Sequence, residues 1–382
     1  VDVSTPAAPA VLGSVSDASS LNGATGVACD AASQRAFVAS ASADSLTVVD
    51  VSNPSQPSIV GTVSDAVSLA GASAVSFDAA TQRAFVASAN GDSLAVVDVS
   101  DPAQPTLIGT FTDTTNLDGA AGVHYDAPTR RAITVSKYAH SLAVVCVPNE
   151  LLNGAVCGAD LALVGSRPDG TNLQGARAVT YDAPTQHAFV ASADADSLAV
   201  VDVSDPTGPL VAGVATNVAL DGACGVAYDA ARQLAIVASG GADSLSVVDV
   251  SVAATPTLGG TLVDASALDG ACGVAHDDTR RLAFVAAGDA SSLAVVDTTN
   301  PAAPSLAGVV VDGAALDGAV GVCYDAASQR VLVASERGDS LSVVDVSTPA
   351  APAVLGSVSD ASSLNGATGV ACDAASQRAF VA

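Results

Sequence analysis

The chain has 382 residues, 49% of them hydrophobic but only 3% aromatic, with no Trp and no Met. Its 13 Lys and Arg stand against 39 Asp and Glu, a formal charge of −26, which excludes nucleic acid and anionic membrane surfaces, since both need clustered cations. The apolar fraction excludes a disordered chain, and no run of eighteen apolar residues occurs that would span a membrane.

The chain opens on Val1-Asp2-Val3-Ser4, the tail of a motif that it then repeats. The full form appears as Asp44-Ser45-Leu46-Thr47-Val48-Val49-Asp50, again from Asp92 to Asp98, Asp196 to Asp202, Asp243 to Asp249 and Asp339 to Asp345. Degraded copies begin at His140 and Ser291, and the steps between starts are 48, 48, 56, 47, 48 and 48 residues. A fixed period of this size marks a repeat architecture. Residues 1–39 return unchanged as residues 344–382. This duplication, in a chain that starts at Val1 without a signal-like segment, reads as a window on a tandem array.

The repeat that starts at Gly225 shows the content of one period. Gly225 to Asp229 reads as a short strand, Leu234 to Ser239 as a second, Ser244 to Val250 as a third and Thr257 to Leu262 as a fourth. Gly, Pro, Asp and Ser punctuate the runs, as turns require. The runs do not alternate cleanly between apolar and polar, which predicts sheets covered on both faces. The expectation is all-β: a single β-propeller over residues 1–382, built from blades of four antiparallel strands in repeats of about 48 residues. An Asp closes the first strand in every copy: Asp30, Asp78, Asp126, Asp182, Asp229, Asp277, Asp325 and Asp373. Followed by Ala and polar residues, it reads as an Asx turn. The competing reading is a carboxylate ring holding cations at one mouth of the propeller; the Leu-Asp-Gly-Ala segments that start at Leu117, Leu220, Leu268 and Leu316 read as connections between blades, with calcium ligation as the alternative, although no Asp-x-Asp-x-Asp-Gly loop supports it.

The run Leu94-Ala95-Val96-Val97-Asp98-Val99-Ser100-Asp101-Pro102, followed by Pro105-Thr106-Leu107-Ile108-Gly109, resembles the LVIVD-repeat β-propellers, a family of surface-associated repeat proteins. It recurs from Leu198 to Pro206. The resemblance implies the propeller fold and carries no catalytic residues. It departs from the pattern at Cys146, where the motif Asp is lost, and at Val252-Ala253, where Asp-Pro is lost. The period favours seven blades. Eight is the alternative, with the strands after Gly369 pairing with Val1–Ser4 and Ala10–Val15 in a shared blade, a closure that removes sheet edges.

Seven Cys remain to be placed. Cys146 and Cys157 flank the one sizeable insertion, around residues 148–153, and a disulfide there would close a short loop. Cys224 and Cys272 occupy equivalent places in adjacent repeats, the second candidate pair. Neither pair has metal-ligand spacing with His nearby. His124, His140, His187 and His276 are scattered, although His124 and His140 lie with Lys137, Tyr138 and Arg177 in the least regular repeats. No nucleophile elbow or phosphate loop is present, and Asn53-Pro54-Ser55 is spoiled as a glycan acceptor by its Pro. The sequence therefore predicts a structural propeller and no enzyme: the repeating unit of an extracellular filament or cell-surface assembly that associates with itself. The rival is a propeller module that binds a ligand, glycan, surface protein or calcium in adhesion.

Overall fold

The protein is described from a computed structural model over residues 1–147, 161–360 and 364–382. Seven antiparallel sheets form, each of four strands that are consecutive in sequence. They are blades 1 to 7: residues 24–64, 72–112, 120–147 with 161–168, 176–216, 223–263, 271–311 and 319–359. A two-stranded sheet follows, Val370–Asp373 with Arg378–Val381. The first strand of each blade neighbours the first strand of the next, and Val370–Asp373 lies between those of blades 7 and 1. The sheets therefore stand around one axis as a β-propeller.

The repeated motif forms the third strand of each blade. In blade 2 this is Ser93–Asp98, where Ser93, Leu94, Ala95, Val96 and Val97 are fully buried. Neighbouring blades cover both faces, so the strand is a continuous apolar run. Asp92, which precedes it, has φ of 47°, in the left-handed region that Asp tolerates better than most residues. Its carboxylate then accepts the Gly119 N–H of the next blade at 3.3 Å. Asp44 does the same for Gly71 at 2.9 Å, Asp196 for Gly222 at 3.3 Å and Asp339 for Gly366 at 2.9 Å. One Asp thus closes a hairpin and pins the neighbouring blade. At the far end of the strand Asp98 accepts the Ser100 N–H at 2.8 Å, which accounts for the recurring Asp-Val-Ser.

The gaps between blades are filled by small residues and a few rings. Phe37 stacks on Phe77 with centroids 4.2 Å apart, Phe85 on Tyr125 at 3.9 Å and Phe189 on Tyr228 at 4.4 Å. Each pair joins the second strand of one blade to the first strand of the next. Farther out, a Gly in the fourth strand lies against a Pro of the following blade: Gly61 on Pro105, Gly165 on Pro209, Gly213 on Pro256, Gly260 on Pro304 and Gly308 on Pro352. Gly109 meets Leu161 instead.

The same contact closes the ring, since Gly356 of blade 7 lies against Pro9 and Gly13 lies against Pro57 of blade 1. The N-terminal segment therefore belongs to an eighth sector. Asp2 bridges to both Arg378 and Ala10, and the Val1 carbonyl accepts the Ala379 N–H at 3.1 Å. Seven four-stranded blades are complete within the chain, and the shared closure assembles the eighth sector from its two ends.

Candidate functional site

The eight Asp residues that close the first strands sit at the heads of hairpin turns. Asp30 accepts the Ala32 N–H at 3.1 Å and the Ser33 hydroxyl at 2.6 Å, and Asp78 accepts the Ala80 N–H at 3.1 Å and the Thr81 hydroxyl at 2.7 Å. Asp325 accepts the Ala327 N–H at 3.0 Å and Asp373 the Ala375 N–H at 3.0 Å. Their oxygens are engaged locally, which is the Asx-turn chemistry the pattern predicts.

In blades 5 to 7 these turns grow into a network across the seams. Arg280 donates through Nε to Asp277 at 2.8 Å, through Nη2 to the Tyr324 hydroxyl at 2.8 Å and through Nη1 to the Val346 carbonyl of blade 7 at 2.9 Å. The Tyr324 hydroxyl donates to Asp277 at 2.6 Å. Burial pushes the Asp277 carboxyl up, but hydrogen bonds from Tyr324, Arg280 and the backbone outweigh it and hold the group at about 2. Burial, then Asp277, pushes Tyr324 up to about 12. Arg232 donates likewise to the Thr298 carbonyl at 2.7 Å, Arg131 to Val203 at 3.1 Å and Arg378 to Val51 at 3.2 Å. Each clamp holds the end of the third strand in the next sector.

Among the described residues, one group brings three metal-capable side chains together: Asp229, His276 and Asp278, with ligand atoms within 4.8 Å of one another. Asp229 is also bound by Arg232 Nε at 2.5 Å, while His276 reaches Asp278 at 2.7 Å and the Thr298 hydroxyl at 3.2 Å. The arrangement can hold a His between two carboxylates, and a cation there would compete with Arg232. Sequence reasoning passed over it because Asp229 and His276 belong to different blades. The available signal was His276 itself, in the place that Tyr125, Tyr181, Tyr228 and Tyr324 hold elsewhere.

The irregular third and fourth repeats divide into separate places. His140 takes the role of the hairpin Asp, its Nδ1 accepting the Gly175 N–H at 3.2 Å. Lys137 Nζ stands 5.2 Å from the centroid of Tyr138, a ring that is 60% exposed. Arg177 is exposed on the first strand of blade 4, at the end of the blades where the 137–140 turn lies. His124 lies apart, midway along its strand opposite Ile133 and 5.6 Å from Tyr181. Burial lowers its pKa, against the nearby Asp126.

Cys146 is buried and disulfide-bonded, while Cys157, the partner expected for it, lies outside the described residues. Cys224 and Cys272 are joined across the gap between blades 5 and 6, their Cα atoms 5.3 Å apart. A further disulfide that the spacing did not reveal joins Cys323 of blade 7 to Cys372 of the eighth sector, with Cα atoms 6.1 Å apart. Cys29 is a free thiol, its pKa raised by burial and then by Asp373 and Asp30.

Fold and seams together define a repeat β-propeller whose recurring polar residues face turns and neighbouring blades. The chain carries LVIVD repeats on this propeller: the repeat matches at residues 36–65, 83–113, 186–219, 282–312 and 333–360, in blades 1, 2, 4, 6 and 7. Among curated proteins none matches by sequence. The fold is similar to that of Chaetomium thermophilum Sqt1, with a TM-score of 0.73 and 15% identity over 95% of this chain and 93% of that one. Saccharomyces cerevisiae Sqt1 gives a TM-score of 0.68 and 10% identity over 86% and 84%. A protein from Lactobacillus plantarum gives a TM-score of 0.61 and 16% identity over 75% and 84%. At these identities the likeness concerns the fold alone. Among the described residues no helix is long and apolar enough to cross a membrane.

Proposed function

We propose that the chain is a structural scaffold without a catalytic task, a repeating propeller unit of an extracellular filament or cell-surface assembly. The observation that supports this reading is the direction of the repeated polar groups. The hairpin Asp, the first-strand Asp and the clamping Arg bind turns and adjacent blades. The unchanged recurrence of residues 1–39 as 344–382 supports a tandem array, and disulfides across blade gaps suit an oxidising compartment. Electron microscopy of the native material is expected to show regularly spaced discs or a continuous fibre. Single dispersed rings under all conditions would count against the scaffold.

One observation favours an adhesive binding module as the second reading. Lys137 stands beside the exposed Tyr138 at one end of blade 3, and the exposed Arg177 lies at the same end of blade 4, on an otherwise acidic molecule. A ring face of this kind suits a glycan or another planar partner. Calorimetric titration with calcium and a glycan panel separates the readings. Saturable heat that is lost in Tyr138→Ala supports the module, and no heat leaves the scaffold.

A further inference from the structure

We propose that the seam between blades 5 and 6 is a divalent-cation site of the zinc class, with His276, Asp278 and Asp229 as its protein ligands. Asp229 ends the first strand of blade 5, and His276 and Asp278 lie at the end of the first strand of blade 6. Their ligand atoms stand within 4.8 Å of one another.

The place is made of departures from the repeat. Ala holds the position of Asp278 in every other copy, from Ala31 to Ala374, and Val holds the position of Thr298 in every other copy, from Val3 to Val346. Cys, Phe or Tyr holds the position of His276. In blades 5 and 7 that residue is a Tyr that reaches the first-strand Asp of the preceding blade, Tyr228 to Asp182 at 3.4 Å and Tyr324 to Asp277 at 2.6 Å. His276 turns instead to its own blade, to Asp278 at 2.7 Å and Thr298 at 3.2 Å. Random drift would scatter such exceptions over the repeats, whereas these three meet at one point opposite Asp229.

The hydrogen bonds around Thr298 fix the state of the His276 ring. The Thr298 hydroxyl donates to the Arg281 carbonyl at 2.9 Å and accepts from Arg232 Nη2 at 3.2 Å. With its one proton used, it accepts from His276 as well, so Nε2 carries the ring proton and Nδ1 holds a lone pair. That lone pair faces a carboxylate oxygen of Asp278 at 2.7 Å. Two acceptors at this distance need a cation between them, either a second ring proton or a metal ion. A proton joins two acceptors, whereas Asp229 brings a third. Asp229 accepts one bond from Arg232 on each oxygen, from the backbone N–H and from Nε, and each oxygen keeps a further lone pair. Arg232 and Thr298 thus support the ligands from outside, as the groups that orient metal-bound His do. Ligand atoms about 2.0–2.2 Å from zinc stand about 3.4 Å apart in a tetrahedron, inside the 4.8 Å span. One imidazole with two carboxylates suits zinc better than calcium, which takes about six to eight oxygens. The His276 side chain is buried and that of Asp278 half exposed, so the open side admits the ion and a water as fourth ligand.

The test titrates the full chain, stripped with a chelator, with zinc chloride at about 0.15 M salt to screen its general acidity. One equivalent is expected to bind saturably and to raise the melting temperature. His276→Tyr and Asp278→Ala restore residues found in other copies, and each should weaken binding at least tenfold. Thr298→Val restores the repeat residue behind the ring and should weaken it by about 10–100-fold. The melting transition of each variant without zinc confirms that it folds. Binding that His276→Tyr and Asp278→Ala both leave unchanged overturns the site, as does the absence of binding. Displacement of zinc by an equal concentration of calcium overturns the zinc class. Nitrogen NMR of the histidine-labelled chain separates the metal from a second proton. On zinc addition the His276 Nδ1 signal should shift while Nε2 keeps its proton, and an Nδ1 that stays protonated and unmoved overturns the proposal.

Discussion

Asp277 shows how one side chain carries both a turn and a seam. Its carboxylate, held at about 2, lies below the unfolded value of about 3.9 for Asp. A lowered folded pKa contributes stability that is fully present above about pH 4 and is lost as pH falls toward 2. Other carboxylates shift the same way, Asp98 and Asp345 chiefly through hydrogen bonds from Ser100 and Ser347. Denaturant titrations between pH 6 and 2 should therefore show stability falling through this window. Tyr324→Phe removes a donor to Asp277 and an acceptor for Arg280, and should cost roughly 1–3 kcal/mol at neutral pH. It should also flatten the acid limb, because the folded pKa of Asp277 moves back toward the unfolded one. An acid limb as steep as that of the parent would show that Tyr324 does not hold the carboxylate. The residue scale is where the sequence was partly legible. The Asp recurrences announced turns, whereas Arg280 reaching Val346 required the neighbouring blade to be in place.

The strand that organises each blade is Ser-Leu-Xaa-Val-Val, whose Leu is fully buried in blades 1 to 7. Leu94→Ala should cost about 2–5 kcal/mol, the range for a core Leu whose surroundings relax incompletely, measured by chemical denaturation. The fourth strand is limited by its neighbour. A Cβ on Gly61 would stand 2.5 Å from both the Pro102 carbonyl oxygen and Pro105 Cδ, whereas a Cβ on Gly208 would meet nothing within 4 Å. Gly61→Ala should thus destabilise by about 1–3 kcal/mol, the usual cost of overpacking, and Gly208→Ala should change stability by no more than about 0.5 kcal/mol. Equal effects of the two would remove the Gly–Pro contact from the account of the seams. These elements were readable in advance, since an unbroken apolar run bounded by Asp, Gly and Pro has few folds open to it. The seam contacts were less so, because they depend on which blade stands beside which.

At the scale of the molecule the account depends on closure: seven complete blades, with an eighth sector made by both ends of the chain. The sequence allowed this closure beside a simple ring of seven, and periodicity cannot separate the two, because a blade has the same strands in either ring. Cysteine pairing can. The disulfide to Cys372 was not legible because Cys323 is the fifth residue of one first-strand repeat and Cys372 the sixth of the next, and only the stagger between adjacent blades brings them together. Cys29 holds the place of Cys372 in blade 1, and a ring of seven would set blade 1 beside blade 7. Cleavage after arginine places Cys29 in residues 1–35 and Cys372 in residues 338–378, so mass spectrometry of the non-reduced protein tells them apart. Cys323 linked to Cys372, with Cys29 free to alkylate, is the predicted result; Cys323 linked to Cys29 would contradict the eighth sector.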